Sequence, residues 1–197
     1  MKRIILGALL ASAVAAVPAM AALKQGDKAP DFKAKASLAG KSFDFSLADS
    51  LKKGPVVVYF YPAAYTGGCN IEAHTFAENK EKFDAVHTTI IGVSLDGLDK
   101  LNKFSADPKY CAGKFPVASD AKGEITKSYA LNVGAARDGM KDTEGQAIDH
   151  GFAERTTFVI TPDSKVIATL SSADDKISPA DHVEKSLAIV EGLAKKK

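Results

Sequence analysis

Residues 55–61 read PVVVYFY, seven residues without a charge or a glycine. β-Branched and aromatic side chains at this density suit an extended chain. The lack of polar alternation means that both faces must be covered. The run therefore predicts a central strand buried on both sides, and residues 88–94, TTIIGVS, predict a second. Cover comes from helix-like patterns at 70–83, with Ile71, Phe76 and Phe83 as core contacts, and at 98–104. The latter pattern runs on towards Cys111 with a break near Pro108. Short helices are expected at 46–52 and 124–129, and a last one towards Ala194 with Ser178 as N-cap and Pro179 at its first position. Residues 32–36 and 42–45 flank Leu38-Ala39-Gly40-Lys41 as an N-terminal hairpin. Residues 117–119 read as a short strand, and 156–160 with 166–170 as a hairpin closing one sheet edge. Residues 22–31 form a polar lead-in, and 133–151, rich in Gly and charge, read as a loop. Strands alternating with helices predict one α/β layered domain, a mixed sheet flanked by helices, over residues 22–197.

The first 21 residues stand apart. Met1-Lys2-Arg3 precedes an apolar run from Ile4 to Val17, and Pro18-Ala19-Met20-Ala21 follows. A basic start, a short apolar stretch and an A-x-A site form the pattern of a secretory signal peptide cleaved after Ala21. The alternative, a membrane anchor, needs ~20 apolar residues, more than the run supplies. Export predicts an oxidising compartment, the periplasm of a bacterium, with no membrane attachment after cleavage. The whole chain carries 26 Lys and Arg against 24 Asp and Glu, and losing Lys2 and Arg3 leaves 24 against 24. Zero net charge removes the electrostatic case for nucleic acid or an anionic membrane as partner.

The first buried run leads straight into Pro62-Ala63-Ala64-Tyr65-Thr66-Gly67-Gly68-Cys69, where a helix pattern begins. Cys69 then lies in the first turn of a helix at the end of a central strand. Free backbone N–H groups and the positive end of the helix dipole favour a thiolate there. Gly67 and Gly68 allow a small substrate to approach the backbone. The bland alternative is a small core residue, the commonest fate of a free cysteine.

These residues resemble the peroxiredoxin family. Pro62, Thr66 and Cys69 match its P-x-x-x-T-x-x-C motif, and YFYPAAYTGGC is most similar to the bacterioferritin-comigratory, or Q-type, branch. IIGVSLD, FPVASDAKGEITKSYAL and the segment from Arg155 to Asp163 extend the resemblance over most of residues 26–170. It implies a thioredoxin-like fold and thiol-dependent reduction of hydrogen peroxide and organic hydroperoxides. It also implies that Cys69 is the peroxidatic cysteine, that Thr66 orients the peroxide, that Arg155 stabilises the thiolate and the breaking O–O bond, and that Pro62 shields the sulfur. An arginine offers a fixed fork of donors to such charges; the ordinary alternative for Arg155 is a surface ion pair. Gly68 is expected beside the substrate, and Glu72 either buttresses Arg155 or is a helix-surface acid. One departure stands out: Gly67 occupies a position where the family usually has proline.

Many Q-type members carry a resolving cysteine five residues after the first, and here that position is His74. The one other thiol is Cys111. Some members place their resolving cysteine in this segment, so the resemblance implies that Cys111 attacks the sulfenate at Cys69 after local unfolding. A permanent structural disulfide and a lone buried thiol are the alternatives. The four histidines, His74, His87, His150 and His182, show no ligand spacing and read as surface or loop residues, with His150 a candidate to line the pocket near Arg155. No metal or cofactor is called for. The reducing partner implied is an exported thioredoxin-like or other dithiol protein, and the chain reads equally as monomer or homodimer. Two competing functions are a thiol–disulfide oxidoreductase, which lacks C-x-x-C because Asn70-Ile71-Glu72 follow Cys69, and a binding module with a static disulfide.

Overall fold

The central run forms the strand expected of it. In the computed structural model, which describes residues 22–195, the elements in chain order are β1 (Lys33–Leu38), β2 (Lys41–Ser46), α1 (Leu47–Leu51), β3 (Val56–Phe60), α2 (Gly67–Ala85), β4 (Thr89–Ser94), α3 (Leu98–Ala106), β5 (Val117–Ser119), α4 (Glu124–Ser128), β6 (Val133–Gly134), β7 (Phe152–Ala153), β8 (Thr156–Ile160), β9 (Val166–Ser171), α5 (Ser172–Asp175) and α6 (Pro179–Ala194). The signal peptide expected at 1–21 lies outside the described residues.

Seven strands form one mixed sheet in the order β2-β1-β5-β4-β3-β8-β9. β3 pairs parallel with β4 and antiparallel with β8, so it lies inside the sheet with a neighbour on each side. The N-terminal hairpin β1–β2 joins through an antiparallel β1–β5 contact, and β8–β9 closes the opposite edge. Alternation along β3 divides the core in two. Val57 and Tyr59 face a layer holding Phe76 and Phe83 of α2, Phe104 of α3 and Val183 of α6. Val56, Val58 and Phe60 face Phe32, Leu47, Leu51, Tyr129 and Phe158. Each such fully buried side chain contributes ~1.5–3 kcal/mol, which is why an all-apolar strand belongs inside the sheet. Gly92 is needed opposite Tyr59, since a Cβ there would lie 2.6 Å from the ring.

α6 starts as read. Ser178 Oγ accepts from Asp181 N (3.2 Å), Asp181 Oδ2 accepts from Ser178 N (2.7 Å), and Pro179 opens the helix.

Several expectations need correction. α2 starts at Gly67 rather than residue 70. Its buried stripe runs Cys69, Glu72, Ala73, Phe76, Phe83, and Ile71 lies off it at 53% exposure. α3 stops at Ala106 because Asp107, before Pro108, is extended, so Cys111 lies in a turn rather than on a helix. Residues 133–151 are not all loop: β6 pairs with β7, and Lys141 bridges Ala147. His182 is fully buried in α6, where Thr157 and Ser172 satisfy both ring nitrogens at 2.9 Å. Burial lowers its pKa to about 4, so it stays neutral. No helix among the described residues is long and apolar enough to cross a membrane.

Candidate active site

β3 ends at Phe60, and the chain turns through Pro62 to Thr66 into α2. This turn is forced: Tyr65, a bulky residue, has φ +60°, a conformation that persists only where the surroundings hold it. Ala64 N donates to Asp96 Oδ2 at 2.7 Å. The Tyr65 carbonyl accepts from Thr143 N (2.8 Å) and Thr143 Oγ1 (2.9 Å). The Tyr65 ring meets Phe104 and Tyr110 edge-on, with centroids 5.1 and 5.5 Å away.

Thr66 is the N-cap of α2, yet its hydroxyl donates to the Ala63 carbonyl (2.8 Å) and makes no cap bond. Cys69 follows as the third helical residue, 2% exposed. First-turn amides without helical partners and the dipole both favour negative charge at this end.

Arg155 lies between β7 and β8, and Nη2 donates to Cys69 Sγ at 3.1 Å. Its other terminal nitrogen, Nη1, donates to Glu72 Oε2. Glu72 stands one turn after Cys69 on the same face of α2, so one fork spans both. The Glu72 side chain is fully buried and that of Arg155 is 11% exposed. Burial pushes the Glu72 carboxyl up to about 7, against the opposing pull of the Arg155 charge. Gly68 serves this packing, because a Cβ there would lie 3.1 Å from Arg155 Nη2 and 3.3 Å from Pro179 Cγ. Of the two readings of Glu72, the geometry matches the buttress.

Pro62 is part-buried at the start of the turn. Cys69 and Cys111 are both free thiols in the same apolar layer. Cys111 is fully buried, and burial raises its pKa well above the usual thiol value. Its turn is closed by Ala112 N to Asp107 O (2.9 Å) and Gly113 N to Ser105 O (2.8 Å), with φ positive at both donors. His74 Nδ1 of α2 donates to the Lys109 carbonyl of the same turn at 3.0 Å.

His150 pairs with Asp96 (3.0 Å) rather than lining the pocket at Arg155. Sequence reasoning missed Asp96 and Thr143, which grip the Cys69 loop. The available signal for Asp96 was a lone acid just beyond a buried strand.

The comparisons agree with this geometry. Residues 25–169 match the model of the AhpC/TSA family. Rv1608c of Mycobacterium tuberculosis, a chain named for the peroxiredoxins, is 33% identical over 143 residues, covering 73% of this chain and 82% of its own. The peroxidoxin BcpB of the same species superimposes with a TM-score of 0.70 at 30% identity, over 86% of this chain and 97% of the other. The bacterioferritin comigratory protein of Xanthomonas campestris gives 0.62 at 25% identity, over 81% and 91%. The sheet and its helices therefore form a thioredoxin-like fold, and the chain belongs to the AhpC/TSA family as a peroxiredoxin, a thiol-dependent peroxidase.

Proposed function

We propose that Cys69 is the thiol that carries the peroxidase reaction. The observation that carries this reading is the 3.1 Å contact from Arg155 Nη2 to Cys69 Sγ in the first turn of α2. The Cys69 thiolate attacks one peroxide oxygen, an S–O bond forms, and the O–O bond breaks. Cys69 becomes the sulfenic acid, and the leaving oxygen takes a proton to give water or an alcohol. Charge grows on that oxygen as the bond breaks, where the Arg155 fork and first-turn amides supply preorganised donors. The Thr66 proton is committed to the Ala63 carbonyl, so its oxygen is left to accept from the incoming peroxide O–H. Gly68 admits the guanidinium and Glu72 holds it, and the shielding of the sulfur is assigned to Pro62 at the start of the turn.

Cys111 resolves the sulfenic acid. Its thiol loses a proton, the thiolate attacks Cys69 Sγ, the S–S bond forms as the S–O bond breaks, and the departing hydroxide takes up a proton to leave as water. Two free thiols in one apolar layer support a bond made in turnover rather than a permanent staple. Burial of Cys111 and the hydrogen bonds around its turn mean that residues 106–113 must open first. An exported thioredoxin-like or other dithiol protein then reduces the disulfide by exchange. The basic, apolar and A-x-A pattern of residues 1–21 supports placing this cycle in the periplasm. Peptide mapping after one equivalent of hydrogen peroxide tests the scheme. A Cys69–Cys111 crosslink within a single chain is expected; persistent sulfenate or sulfinate at Cys69 with free Cys111 would overturn resolution by Cys111.

A further inference from the structure

Behind the Cys69 loop lies a cluster of charged groups that the peroxidase chemistry does not use. The Asp96 side chain is fully buried just beyond β4. Its Oδ2 accepts from Ala64 N (2.7 Å) and Ser94 Oγ (2.8 Å). Its Oδ1 faces His150 Nε2 (3.0 Å) and Lys100 Nζ (3.2 Å). Lys100 also reaches Asp142 Oδ2 at 3.0 Å. Thr143, the next residue, holds the Tyr65 carbonyl through its backbone and its hydroxyl. The cluster thus grips two consecutive residues of the loop, Ala64 by its amide and Tyr65 by its carbonyl. Lys100 ties the two arms together.

The charge state of His150 follows from its partners. Nδ1 faces the Gly151 carbonyl at 2.8 Å, and Nε2 faces the Asp96 carboxylate at 3.0 Å. Both partners are acceptors, so both ring nitrogens must carry a proton, and the ring is an imidazolium. With His150 charged, the set Asp96, Asp142, Lys100 and His150 is neutral; without that proton it holds one uncompensated buried negative charge. A cavity of about 470 Å³ borders His150 and gives it access to solvent. Asp99, Lys103, Glu144 and Asp149 line the same cavity.

We propose that Asp96, held by Lys100 and protonated His150, is a positioning device for the Cys69 loop, and that loss of the His150 proton slackens the loop and slows attack on peroxide. This rests on the reading of Cys69 as the reacting thiol. Burial opposes the charge on His150, but the Asp96 hydrogen bond, the Gly151 carbonyl and the Asp96 charge outweigh it and raise its pKa; Lys100 acts in the other direction. The sign is therefore fixed. The grip is complete below the usual histidine value and is lost as pH rises through the raised one.

The test compares wild type with His150→Gln in the reduced full chain, following oxidation of Cys69 by hydrogen peroxide from pH 5 to 9 with rapid-quench alkylation. A glutamine can still donate to Asp96 but cannot gain or lose a proton. Wild type is expected to lose about tenfold in rate constant on the alkaline side, the scale of one charge-assisted hydrogen bond. His150→Gln is expected to lack that alkaline limb. A merely structural histidine would lower the urea midpoint of the variant and leave the limb in place, and that result would overturn the proposal. NMR titration of the His150 ring in wild type is the second arm, with a pKa above the usual value expected and one at or below it contradictory. Wild-type Cys69 that never oxidises would overturn both this proposal and the reading of Cys69, and is distinguished from the other outcomes by the alkylation readout itself.

Discussion

Arg155→Lys keeps the charge beside Cys69 and should still cripple the reaction. In the native site one planar fork reaches two partners, Nη2 to Cys69 Sγ at 3.1 Å and Nη1 to Glu72. A lysine ammonium is a point donor on a flexible stem, and it cannot reproduce this fixed, two-armed geometry. The buried Glu72 carboxylate is the stronger attraction, so the ammonium is expected to settle there and leave the sulfur. A hydrogen bond to a charged group contributes ~1.5–3 kcal/mol, or roughly 10- to 150-fold in rate. Removing a donor to a developing oxyanion costs ~10²–10³-fold. The expected loss is therefore about 10- to 1000-fold in the rate constant for Cys69 oxidation. The chain contains no tryptophan, so the assay of choice is rapid-quench alkylation with mass spectrometry rather than intrinsic tryptophan fluorescence. Urea midpoints of both proteins separate lost chemistry from lost folding. A folded Arg155→Lys protein that reacts within about twofold of wild type would refute the reasoning, because charge alone would then suffice.

Glu72→Gln should change the pH dependence of stability. The folded Glu72 carboxyl is raised to about 7 from 4.5, so the folded state holds this proton after the unfolded chain has released it. Stability then falls as pH rises from about 4.5 to 7, on the order of 3 kcal/mol if the whole shift is expressed. Urea midpoints across that range should show the fall in wild type and a flatter profile in the variant. The paired glycines should respond oppositely. Gly68→Ala brings a methyl within 3.1 Å of Arg155 Nη2 and should slow Cys69 oxidation, whereas Gly67→Ala meets nothing within 4 Å. In the first turn of α2, Gly67→Ala should leave the rate near wild type and raise stability by ~0.4–1 kcal/mol in thermal melts.

How far the sequence reached depends on how local each signal was. PVVVYFY announced a strand buried on both faces because seven residues carry that information without help from elsewhere, and β3 is that strand. The capping box at Ser178 is similarly local. Cys69 and Arg155 stand 86 positions apart, and no periodicity joins them. Only the motif in each segment, matched to a family, brought them into one site. Glu72 stood undecided because an acid near the start of a helix is favourable with or without a buried arginine. Asp96 and Thr143 could not be found this way. A single acid after a strand and a threonine in an aperiodic stretch have many ordinary uses, and only the folded backbone puts them against Ala64 and Tyr65. Ile71 failed for a related reason. The buried stripe of α2 is set by where Cys69 and Phe76 must face, and Ile71 sits between its rows.

The central claim, that Cys69 is the reacting sulfur, meets its most direct test in a single turnover. Reduced wild type, Cys111→Ser and Cys69→Ser are each mixed with one equivalent of hydrogen peroxide, and the peroxide consumed is measured against the cysteine oxidised. Wild type and Cys111→Ser should consume the peroxide with oxidation at Cys69, while Cys69→Ser should leave it intact. A Cys69→Ser protein that consumes peroxide at the wild-type rate would contradict the account.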